Sequence, residues 1–157
     1  MFLFSGDLPE LRFFPWKGVD LHLDPSAFQA DAGLLLALEK HASMLSCNED
    51  LVLFHQGESP KGLHILKEGK ATISMDSDDG RSLFSCEAVA GSLLGLPGLI
   101  GNQPYSLSAV AHKGARVGFI ARDDFQALMQ SDSCLMVKVL QVLAAEVRSA
   151  RMAITQK

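Results

Sequence analysis

Residues 91–111 read GSLLGLPGLIGNQPYSLSAVA. Four glycines and two prolines sit among leucines, and the stretch closes on a small-residue run that reads as a strand. It is too apolar for a solvent loop and too often broken for a helix or strand of ordinary length. A greasy, glycine-punctuated loop needs a scaffold to bury it, so its flanks decide the fold.

Upstream the apolar period is two, beginning at Ser43. LVLFHQGES (51–59) is a strand followed by a turn, and KGLHILKEGKATISMDSDDGRSLFSCEAV (61–89) holds three more strands. KEGK and SDDG read as hairpin turns, each placing Gly where φ must be positive. Downstream, YSLSAVAHKGARVGFIARDDFQALM (105–129) supplies two strands broken at Lys113–Gly114. Short strands at close spacing with Gly turns predict a β sandwich or barrel. Before them, Asp24 and Pro25 form an N-cap and first-turn pair, and the spacing predicts helices at about 25–29 and 31–41. Pro9, Pro15 and Gly18 keep residues 1–24 irregular.

The last third is helical. A short helix over 123–130 is expected, N-capped by Asp123, and Ser131 or Asp132 caps a long helix running to about Thr155. Met136, Leu140, Leu143, Val147, Ala150 and Ile154 repeat at spacings of 4, 3, 4, 3 and 4, an a/d seam. Leu135, Val139 and Val142 form a second apolar face. Two faces predict two contacts, one with the chain's own β body and one with a twin helix, hence a homodimer. Packed alone on its barrel, the helix would leave Val147 and Ile154 wet, because Glu146, Arg148 and Arg151 interrupt the second face.

Composition narrows the function. The 157 residues are 48% hydrophobic and 20% charged with a formal charge of −4, ordinary for one soluble domain plus an appended element. The 14 Lys and Arg are scattered rather than striped, so direct nucleic-acid binding by this chain is not expected. Cys47, Cys86 and Cys134 are odd in number and far apart, as reduced cytoplasmic thiols are. No apolar run approaches the ~20 residues that span a bilayer. MFLFSGDLPELRFFPW (1–16) lacks a basic n-region and is read as an arm rather than a signal peptide.

The order of parts resembles the cyclic-nucleotide-binding domain of the Crp/Fnr (catabolite activator protein) superfamily. The matching features are LFHQGES with GLHILKEGKATI, AGSLLGLPGLIGNQPYSLSAVA, VGFIARDDFQALM and VLAAEVRSAR, spanning about residues 45–155. The resemblance implies a mainly β fold: a double-stranded β-helix (jelly roll) over 25–130, short N-terminal helices, and a dimerisation helix over 131–157. It makes the opening stretch a phosphate-binding cassette, with Gly95, Leu96, Pro97, Gly98, Leu99, Tyr105, Ser106 and Ser108 as ligand-facing candidates. A helix N-terminus with free N–H groups favours an anion.

The anchoring side chains are replaced. Family members that bind cyclic AMP or GMP carry Gly-Glu, the Glu taking the ribose hydroxyl, and later an Arg pairing with the phosphate. Here Leu96 follows Gly95, and the Arg position is Tyr105, or Ser106 one register on. A charged hydrogen bond contributes about 1.5–3 kcal/mol, so losing both anchors costs two to four powers of ten in affinity. Tight binding of cyclic AMP or GMP is therefore not expected. Tyr105 either fills the vacated phosphate volume, its hydroxyl on a backbone group, or is a half-exposed strand aromatic.

Other chemistries have little support. Gly95, Gly98 and Gly101 lack dinucleotide or Walker spacing. The metal of a cupin needs HxH, absent from the five histidines, although His55 and His64 are expected on adjacent strands. No cysteine cluster offers an iron–sulfur site, and no nucleophile elbow is visible. No metal, cofactor or enzymatic activity is expected. Transcription factors of the family carry a winged helix-turn-helix beyond the long helix; if Lys157 is the natural end, no DNA-reading element is present. The expectation is a non-catalytic, dimeric sensing module with an apolar or weakly anionic small-molecule effector, or none. A cyclic-nucleotide receptor with an atypical cassette and a ligand-free partner-binding module are the alternatives.

Overall fold

A computed structural model describes residues 23–155, so all of the N-terminal arm except Leu23 and Asp24 lies outside the described residues. Among the described residues, eight strands form two antiparallel four-stranded sheets. The first runs β1 (Ser43–Ser46), β8 (Arg116–Ala121), β3 (Gly62–Glu68), β6 (Ser92–Leu94). The second runs β2 (Leu51–Phe54), β7 (Ser108–Ala111), β4 (Ala71–Asp76), β5 (Ser82–Ala88). This is the sandwich that the strand spacing predicts, with the jelly-roll form that the resemblance implies.

Gly69 and Gly80 take positive φ of 86° and 85°, as the two Gly turns require. Only the second is a hairpin, joining the paired β4 and β5. KEGK instead carries the chain from β3 in one sheet to β4 in the other. A two-sheet roll needs such corners, and turn chemistry alone does not distinguish them from hairpins.

The strands bury their side chains in two layers. Between the sheets lie Phe54, Leu66, Ile73, Leu94, Tyr105 and Val117. The outer face of the first sheet carries Leu63, Ile65 and Ile120, covered by helices. β3 is thus buried on both faces, which blurs its period into a near-continuous apolar run. β5 covers the interior on one face only and keeps its alternation.

Four helices and a 3-10 turn complete the described chain. The 3-10 turn Pro25–Phe28 is capped by Asp24, whose Oδ1 accepts from the Ser26 N–H. α1 (Ala32–Glu39) starts at Asp31, whose Oδ1 accepts from the Leu34 N–H at 2.7 Å. α2 (Leu96–Gly101) is the single turn inside the opening stretch. α3 (Arg122–Ser131) begins directly off β8, so Asp123 lies inside its first turn and caps nothing; the cap position is Ala121, with no side-chain bond. An acid there still complements the helix dipole. Of Ser131 and Asp132, Asp132 caps α4 (Ser133–Thr155), its Oδ1 accepting from the Leu135 N–H at 3.0 Å.

α4 has the two faces expected of it. Leu135, Val139 and Val142 are buried in the helix-covered layer. Each such side chain contributes about 1.5–3 kcal/mol. Met136, Leu140, Val147, Ala150 and Ile154 are exposed, while Leu143 is half-buried against the same layer. Leu143, one of the six predicted seam positions, therefore packs at least partly on its own domain.

Candidate functional site

The opening stretch is a short strand, a helical turn and a strand. β6 brings the chain to Gly95, whose φ of 98° turns it into α2. A Cβ at Gly95 would lie 2.9 Å from Cε1 of Tyr105, so that position is closed to side chains. Asn102, also left-handed at φ 55°, ends the turn.

Tyr105 is buried, with 3% of its surface exposed. Its ring stacks on Phe54 at 4.0 Å between centroids. Its hydroxyl donates to the Gly62 carbonyl at 2.9 Å and accepts from the N–H of Lys61 at 3.0 Å and of Gly62 at 3.3 Å. Three backbone partners fix the ring as a wedge across the sandwich, where a half-exposed aromatic was the alternative.

Of the eight cassette candidates, Gly95, Pro97, Gly98, Tyr105 and Ser106 line a cavity against the sandwich interior. Leu96 and Leu99 do not; both are buried in the helix-covered layer. Leu96 thus faces away from any ligand hydroxyl. Ser108 Oγ is taken by the Gln56 N–H at 2.8 Å. The cavity itself is about 10 Å³, the size of one water.

Glu146 of α4 also lines this cavity. Sequence periodicity treats it as a wet charge interrupting the second face, but the helix turns it inward. Its Oε2 is buried without a hydrogen-bond partner. Burial raises the carboxyl to about 7. No Lys or Arg lines the cavity among the described residues. A phosphate placed there would meet a carboxyl and a phenol instead of a guanidinium.

Beyond the Tyr105–Phe54 stack the sandwich opens sideways between β1 and β2. A groove of about 510 Å³ runs there, with Leu45, Val117, Phe119 and His64 on one wall and Leu51 on the other. Leu45 pairs with Val117 and Leu51 with Ala111, both interior positions, yet the two leucines are 53% and 37% exposed. Tyr105 lines both spaces and separates them.

His64 packs between the rings of Phe54 and Phe119, and burial lowers its imidazole to about 4. His55 and His64 are not on adjacent strands: His55 lies just past β2, and β2 and β3 belong to different sheets. Among the described residues no three His, Cys, Asp or Glu come together as metal ligands. Cys47, Cys86 and Cys134 are free thiols. No single helix among the described residues is long and apolar enough to cross a membrane.

A family model described as the cyclic nucleotide-binding domain matches residues 45–132. No curated protein sequence matches the chain. Among solved structures, the catabolite activator protein of Thermus thermophilus is similar with a TM-score of 0.66 at 20% identity, over 83% of this chain and 62% of that one. The c-di-GMP-responsive global regulator CLP of Xanthomonas campestris is similar at 0.65 and 19%, over 80% and 61%. A transcriptional regulator of Thermotoga maritima is similar at 0.65 and 18%, over 76% and 94%. The chain thus spans less than two thirds of the first two proteins, and at these identities the likeness is one of fold.

Proposed function

This chain belongs to the cyclic nucleotide-binding domain family, and from that premise we propose that it is a non-catalytic sensing module that does not hold cyclic AMP or GMP tightly. The observation that carries the reading is Tyr105, locked to the Gly62 and Lys61 backbone; the resemblance sets the cassette's Arg position at Tyr105, or at Ser106 one register on. With Tyr105 in place, the cavity beside the cassette has room for about one water. Glu146 lines the same cavity, so an anion entering it meets a carboxyl and, among the described residues, no Lys or Arg. An effector of such a site, apolar or weakly anionic, has to open this space, and it acts by binding one seating of α4 better than another.

The decisive experiment is calorimetric titration with cyclic AMP and cyclic GMP. The expected result is no saturable binding tighter than about 10 μM, because two charged anchors are missing. A lower dissociation constant overturns the reading in favour of a receptor with an unorthodox cassette.

We further propose that the module acts in the cytoplasm as a homodimer through the exposed face of α4. Support comes from Met136, Leu140, Val147 and Ile154, which are between 37% and 46% exposed on one helix. Light scattering is expected to give twice the chain mass. Val147→Asp is expected to give a folded monomer, since Val147 makes no part of either buried layer. A monomeric wild type, or a dimeric Val147→Asp, counts against it. Leu143 is a poorer site for this test because it also packs on its own domain.

A further inference from the structure

Glu146 is an unusual residue to find against a barrel interior. It lies on α4, among Leu143, Val147 and Ala150, which the seam exposes to different degrees. Its Oε2 is buried with no hydrogen-bond partner among the described residues. The cavity it borders is too small for anything but a water or a proton. An ionised carboxylate in such surroundings costs several kcal/mol unless it is paired.

The surroundings supply no pairing. The cavity is walled by the 3-10 turn, both sheets, the cassette and the segment after it, and among these described residues Tyr105 is the one other titratable group. Its hydroxyl is already committed to Gly62 and Lys61. On α4 itself, Arg148 lines a separate groove with Asp24 and Ser26, outside this cavity. A neutral, protonated carboxyl fits these neighbours; a charged one does not.

We propose that Glu146 makes the seating of α4 on the barrel depend on a proton: the helix lies flat with the carboxyl protonated, and lifts locally when the proton leaves. No covalent step is involved; the proton passes to solvent. This rests on the sensing role above only for its consequence, since the seating itself is measurable on the unliganded protein.

The direction follows from linkage. Burial raises the seated carboxyl from 4.5 to about 7. The seated form therefore binds the proton more tightly than the lifted form, and rising pH favours lifting. Seating is strongest below about pH 4.5, weakens up to about pH 7, and changes no further above that.

The test is hydrogen–deuterium exchange of the full chain, read as protection factors of amides 143–152 at pH 6 and pH 8. Wild type is expected to lose about tenfold in protection between the two, and Glu146→Gln, permanently neutral, less than about twofold. Unchanged wild-type protection overturns the proposal. So does an equal loss in Glu146→Gln, which would assign the effect to another group. Protection that rises with pH also overturns it, revealing a carboxylate paired with a cation from elsewhere. Should Glu146→Gln fail to fold, the carboxyl 13C titration of wild type decides: a midpoint of about 7 supports the proposal, and one at the usual glutamate value of about 4.3 sinks it. A failure here leaves the nucleotide titration untouched, and the two results are read independently.

Discussion

Truncating Tyr105 to alanine is expected to lower the free energy of unfolding by about 4 kcal/mol, the range of a large buried aromatic lost from a core. The loss has two parts. The ring leaves Phe54 without its stacking partner at 4.0 Å. The hydroxyl abandons the Gly62 carbonyl and the Gly62 N–H, both buried, and the part-buried Lys61 N–H. Tyr105→Phe separates them: it keeps the ring and is expected to cost about 2 kcal/mol, the penalty for buried polar groups left unpaired. Urea unfolding of the three proteins checks both numbers. A Tyr105→Ala protein within about 1 kcal/mol of wild type would mean that the ring is not the wedge described above.

Gly62→Ala is expected to cost more than about 3 kcal/mol, at or beyond the usual cost of overpacking. Gly62 opens β3 and is buried. A methyl there would collide with the Ile120 carbonyl and come within 2.6 Å of Cε1 and Cζ of Phe119. These neighbours are the backbone of β8 and a ring held against His64, so neither yields cheaply. The displaced strand would also carry away the groups that hold the Tyr105 hydroxyl. Loss of soluble expression, or a urea midpoint shifted by this amount, is the expected result; near-wild-type stability contradicts it.

Much of this architecture is legible in the sequence because it rests on local rules. β4 and β5 alternate visibly since one face meets water, and Gly69 and Gly80 sit where positive φ is needed. The two faces of α4 are separated by plain helical spacing, and Asp132 stands where a cap belongs. β6 escapes such a reading because Ser92, Leu93 and Leu94 are all buried and show no alternation. β1 is marked only by the change of period at Ser43, for the opposite reason: its four residues are all exposed at a sheet edge. Asp123 misleads because α3 grows straight out of β8 with no loop to cap.

The site is harder, because it is made by directions in space. Nothing local says that Tyr105 points at Gly62, 43 residues away, or that Leu96 points under the helices instead of at a ligand. Glu146 is the plainest case. Between Leu143 and Val147 a glutamate reads as solvated, and only the position of α4 over the barrel mouth turns it inward. A sequence signal does exist, since 3.6-residue spacing places 146 on the same side as 139 and 142.

A rigid rod cannot turn on one side alone. α4 is 23 residues long, about 34 Å, and carries its packing against the barrel and the bare Leu140 and Val147 on two flanks of one cylinder, roughly a quarter turn apart. Any event that rolls it by about 20° sweeps the tips of those outer side chains through about 2 Å, roughly a fifth of the angle between successive residues. A disturbance felt at the barrel mouth is thereby carried round the helix to whatever rests against its outer flank.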